Sequence, residues 1–111
     1  MRQGATATII LTVIDFDMSP MNNVWATFDQ DGTQVVKKWV AGGENVGIMV
    51  NGQVVTVKLT QEETLGFDVG NVDVQIKAKE DDFDESTPID EVMVTEIKKI
   101  KVKEGINKEI I

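Results

Sequence analysis

The stretch LTQEETLGFDVGNVDVQIKAK, Leu59–Lys79, holds two kinds of local order side by side. Its first part matches a capping box. Thr60 is followed three residues later by Glu63, so each side chain can satisfy a free amide of the other's turn. A single helical turn over Gln61–Leu65 is predicted, with Leu65 and Phe67 plugging the end of a core. Its second part alternates strictly. Val72, Val74, Ile76 and Ala78 take one face, and Asn71, Asp73, Gln75 and Lys77 the other. A two-residue period is the signature of a half-buried strand.

The same period recurs on both sides of this block. In Ala5–Val13, Ala7, Ile9, Leu11 and Val13 share a face, and the many β-branched residues favour a strand. Asp15–Asn23, with Pro20 and two asparagines, reads as a loop. Val24, Ala26 and Phe28 alternate inward before Asp31-Gly32, and Gln34–Val40 returns. Asp-Gly between two such runs signals a hairpin, because glycine takes positive φ without strain. A second hairpin is predicted at Asn51-Gly52, leading into Gln53–Leu59 with Val55, Val57 and Leu59 on one face. Glu80–Asp90 is a long acidic loop, held exposed by its own charge. Val92–Val102 is a last strand. Its apolar phase slips between Met93/Ile97 and Ile100/Val102, which predicts a bulge or bend.

About seven short strands punctuated by turn signals, with no long helical pattern, predict an all-β fold, a two-sheet β-sandwich. The capped turn before the penultimate strand resembles the crossover of immunoglobulin-like domains. The chain lacks the tyrosine and cysteine from which antibody domains build their corner and disulfide. A single domain over residues 1–103 is expected, followed by a flexible tail, 104–111.

Composition narrows the chemistry. The chain has 111 residues, a size at which one core suffices without metal or disulfide. With no histidine and no cysteine, Ser-His and Cys-His nucleophile systems cannot be built, nor can zinc sites of nitrogen and sulfur. No phosphate-binding glycine loop occurs. A carboxylate-pair hydrolase would need an aromatic-lined cleft, and aromatics make up 5% of the chain. We therefore expect no enzyme, no catalytic residues and no cofactor. The net charge of −8 repels nucleic acid and anionic lipid, so neither is expected as a partner. The apolar residues of the first fifteen positions are interrupted by threonines, unlike a secretory signal, and no stretch approaches a membrane span. Synthesis in a cytoplasm is expected.

A few residues stand out as contact candidates. Trp25 faces out if Val24, Ala26 and Phe28 face in, which suggests a contact surface; a core or partly buried position is the other reading and is slightly favoured. Trp39 has the same two readings, with the core favoured. Ile106, Ile110 and Ile111 have no place in a closed sandwich and either dock on a partner or fray. Lys98, Lys99, Lys101 and Lys103 protect a sheet edge or meet an acidic neighbour. FDQDGT, Phe28–Thr33, has the look of a calcium loop but lacks its further ligands, so a plain hairpin is expected. The acids Asp81, Asp82, Asp84 and Glu85 are a better calcium candidate, against the alternative of a solvated loop.

Three segments, MRQGATATIILTV, VTVKLTQEETLGF and NVDVQIKAK, together resemble small virion proteins of tailed phages and prophages of Gram-positive bacteria. The plan is similar to the N-terminal immunoglobulin-like domain of baseplate upper proteins, which joins a receptor-binding fibre to the particle. The resemblance covers Met1–Val102. It rests on Gly4–Thr6, the turn Leu59–Thr64 and the strand Val74-Gln75-Ile76, all fold-closing elements, so it transfers no functional residue. It implies a non-enzymatic structural protein of the virion, assembled in the host cytoplasm: a head or tail adaptor, fibre anchor, baseplate or decoration component. Its partners would be other virion proteins and further copies of itself, with an open strand edge, at the N-terminal strand Thr6–Val13 or the last strand, as one means of attachment. The alternative is a carbohydrate- or calcium-dependent binding module using Trp25 or the acidic loop.

Overall fold

The computed structural model describes residues 1–80, 92–106 and 110, and for residues 92 and 93 the backbone alone. The strands are β1 (Ala7–Thr12), β2 (Asn23–Gln30), β3 (Thr33–Val40), β4 (Ile48–Asn51), β5 (Val54–Leu59), β6 (Gly70–Lys79), β7 (Val92–Val94) and β8 (Lys98–Val102). One helical turn, α1 (Gln61–Leu65), precedes β6. The strands form two antiparallel sheets, β1-β5-β4 and β3-β2-β6 with β7 and β8 sharing the far side of β6. This is the order B-E-D against C′-C-F-G of an immunoglobulin-type sandwich.

Alternation decides what lies between the sheets. Val24, Ala26 and Phe28 of β2, Val55, Val57 and Leu59 of β5, and Val72, Val74, Ile76 and Ala78 of β6 are all buried. Each lies on the face predicted from its period. The Asp31-Gly32 turn closes β2 on β3 with positive φ at both residues, 48° and 91°, as a two-residue hairpin of type I′ requires. The next hairpin falls one residue later than its predicted place. Asn51 still pairs with Val54, so the loop is Gly52–Gln53. Gly52, at φ 60°, holds the first loop position, where a type II′ turn wants glycine.

The capping box forms as read. Glu63 N donates to Thr60 Oγ1 at 3.1 Å and Thr60 N donates to Glu63 Oε1 at 2.9 Å. Phe67 plugs the end of the core. Leu65 does not: it stays half-buried, and the buried residue of the turn is Thr64. One residue along a helix rotates a side chain by about 100°, so a turn cannot point both inward.

The break between β7 and β8 is the expected bulge. Lys77 pairs with Val94 and Val74 with Lys98. Between these pairs β6 has Gln75 and Ile76, whereas the other strand has Thr95, Glu96 and Ile97. That one extra residue shifts the apolar phase. Thr95 repairs the ladder. Its N–H donates to the Ile76 carbonyl at 3.0 Å and its Oγ1 accepts the Ile76 N–H at 3.0 Å.

The first residues cross from one sheet to the other. Gln3 N donates to the Lys103 carbonyl at 3.0 Å and Lys103 N to the Met1 carbonyl at 2.8 Å, a parallel bridge along the end of β8. The chain then passes α1, where Thr64 Oγ1 accepts from Gly4 N at 3.0 Å and donates to the Ala5 carbonyl at 2.9 Å. From there it enters β1. The packed body extends to Gly105, which is buried directly under the Gln3 carbonyl.

Candidate functional surfaces

The register of the larger sheet places Trp25 on its outer face. Trp25 lies opposite Lys38 of β3 and Lys77 of β6. The Lys38 ammonium sits 5.3 Å from the centre of its ring, a cation–π distance. Trp25 itself is half-buried. Around it the same face exposes Val36, Val40 and Val94. The face thus has an aromatic centre flanked in its own row by lysines, with exposed valines around them and the pair of Asn23 and Val40 at one end.

Opposite charge gathers at the other end of the face. Asp29 and Asp73 are cross-strand neighbours, and Lys99 of β8 reaches Asp73 Oδ1 at 2.8 Å. Both partners of that pair are well exposed, so it adds little stability. Lys101, paired with Asn71, continues the cationic edge along β8.

Trp39 pairs with Val24 and turns the other way. It is half-buried and packs against the core, where it walls the interior beneath the sheet edge. Lys37, its neighbour on β3, also lies on the inward-facing row, opposite Ala26. Its ammonium meets the α1 carboxylate of Glu63 at 2.7 Å. Burial alone would raise the Glu63 pKa, but Lys37 and the Thr60 amide outweigh it and hold the pKa below the usual value.

A second surface lies along β1. Among the described residues that strand pairs only with β5, which leaves its other edge without a described partner. Val13 N donates to the Gln53 carbonyl at 2.7 Å, and antiparallel alternation then turns the backbone of Thr8, Ile10 and Thr12 towards that edge. Beside it the sandwich gapes. A cleft of about 450 Å³ runs between Leu11–Phe16 on one side and Val74, Ile76, Val94–Glu96 and Lys98 on the other. Its walls are mostly apolar, with Asp15, Glu96 and Lys98 at the rim. The bulge belongs to one wall, a connection no periodicity along the chain announces.

The tail candidates lie beyond this body. Ile106 is wholly exposed and Ile110 largely so, while Ile111 lies outside the described residues. The supposed calcium loop is a hairpin: Asp29 Oδ1 accepts the Gly32 N–H at 3.1 Å and Oδ2 accepts from Gln34 Nε2 at 3.1 Å. The acids of 81–90 lie outside the described residues. Among the described residues no three of His, Cys, Asp or Glu gather to hold a metal ion, and no helix is long and apolar enough to cross a membrane.

No protein-family model, no curated protein and no solved structure matches this chain.

Proposed function

We propose that this chain is a non-enzymatic assembly protein of a tailed-phage particle, held against other virion proteins by the outer face of its larger sheet. The observation that carries the proposal is Trp25, displayed between Lys38 and Lys77 on that face. A tryptophan set among exposed valines is the kind of anchor that dominates protein contacts. The lysines beside it steer an acidic partner and fix its orientation. The resemblance of residues 1–102 to virion proteins supplies the setting, and repeated copies on one particle would multiply weak contacts through effective concentration.

Mass spectrometry of density-gradient-purified particles from the strain carrying the gene tests this. The chain is expected in the particle fraction, and Trp25→Ser is expected to stay folded but drop out of it. A chain absent from clean particles would overturn the proposal.

A further inference from the structure

We propose that the cleft beside β1 receives the C-terminal segment 106–111 of a second copy of this chain, added as a strand along the open edge of β1. The inference deepens the assembly role and rests on different residues.

In the sheet order of an immunoglobulin-type sandwich, strand A normally pairs with B. Among the described residues nothing pairs with that side of β1, the counterpart of B. Residues 1–3, which could have done so, are instead spent on the end of β8. The result is an unpaired strand edge next to a mostly apolar cleft. Backbone groups on such an edge bind any extended segment, and the neighbouring cleft selects its alternate side chains.

Segment 106–111 is long enough to run along β1 and carries the alternation the site needs. It follows Gly105, which is pinned beneath Gln3, so its root is fixed while Ile106 and Ile110 stand in solvent. Extended at about 3.3 Å per residue, 106–111 spans about 20 Å, the same as the six residues of β1. Ile106, Lys108 and Ile110 then share one face. That face can seat isoleucines over Leu11 and Ile76 and bring Lys108 to the rim beside Asp15 or Glu96. Ile106 and Ile110 lie exposed on their own body, which leaves the cleft of a neighbour as the place to bury them. Head-to-tail addition of this kind continues from copy to copy until it closes into a ring or extends as a fibre.

Sedimentation velocity over a concentration series tests this on the full chain, on a chain ending at Gly105, and on full-length Ile10→Pro. The Ile10 N–H points to the free edge, so proline there removes a donor that the fold itself does not use. The full chain is expected to self-associate. Both variants are expected to sediment as monomers and to melt as the parent does at dilutions where it too is monomeric, and a synthetic INKEII peptide is expected to bind the shortened chain. A monomeric full chain, or a shortened chain that associates equally well, overturns the inference. So does a monomeric full chain that melts lower when shortened, since the tail would then occupy its own cleft. A chain found in particles yet monomeric alone defeats this inference and leaves the assembly role standing.

Discussion

Lys37 Nζ lies 2.7 Å from Glu63 Oε2, so an inward-pointing lysine of edge strand β3 is tied to the helical turn that closes the sandwich. The same carboxylate caps that turn through the Thr60 N–H. One side chain thus joins the edge of the larger sheet to the connection leaving the smaller one.

The Glu63 pKa is depressed in the folded chain. Its contribution to stability is therefore complete above the unfolded value of about 4.3 and is lost as pH falls through the lower folded value. Glu63→Gln is expected to lower neutral-pH stability by about 1 kcal/mol and to flatten the acid side of the profile. Urea midpoints between pH 7 and pH 3 check this. An unchanged acid slope in the variant would show that the pair does not govern it.

Thr64 is buried, and its hydroxyl serves both Gly4 and Ala5. Thr64→Val keeps the shape and removes the hydroxyl, leaving the Gly4 N–H and the Ala5 carbonyl without it. The expected cost is about 1–3 kcal/mol for polar groups left unpaired. Exchange of the Gly4 amide should accelerate more than that of the β6 amides, because the crossing segment is released first. Uniform acceleration would mean that the crossing does not open separately.

Gly105 has no room for a side chain: a Cβ there would strike the Gln3 carbonyl. Gly105→Ala is expected to cost about 1–3 kcal/mol, the usual range for overpacking. Denaturant unfolding measures it. A neutral result would mean that the N-terminal segment gives way without loss.

At the bulge, Thr95 Oγ1 stands in for a missing ladder acceptor to Ile76 N–H. Thr95→Val is expected to destabilise by about 1–3 kcal/mol, and Thr95→Ser to restore most of the loss. Thermal melts of the pair decide it. Equal melting of the valine and serine variants would assign Thr95 a packing role instead.

Much of this architecture was legible in local pattern. The alternation in Val72–Ala78 gave the buried face of β6, and Asp31-Gly32 gave the hairpin. Thr60 with Glu63 gave the capped turn, and the phase slip after Met93 gave the bulge. Each is a relation between residues close along the chain, where backbone geometry leaves few choices. Leu65 was misjudged because apolarity does not say which side of a single helical turn faces inward. Thr64 was missed because the partners that bury it, Gly4 and Ala5, are about sixty residues away.

The contact surfaces show the same division. Period two along β2 was enough to turn the β2 core residues inward, because a strand has only two faces, but it left Trp25 between two readings that the registers with Lys38 and Lys77 decided. That Lys38 covers the Trp25 ring, that Lys37 finds Glu63, and that an apolar cleft lies between β1 and the β7–β8 bulge came only with folding. These depend on the register between distant strands and on which edge each sheet leaves unpaired. Those choices are made by packing two layers together, where residues remote in the chain compete for the same space.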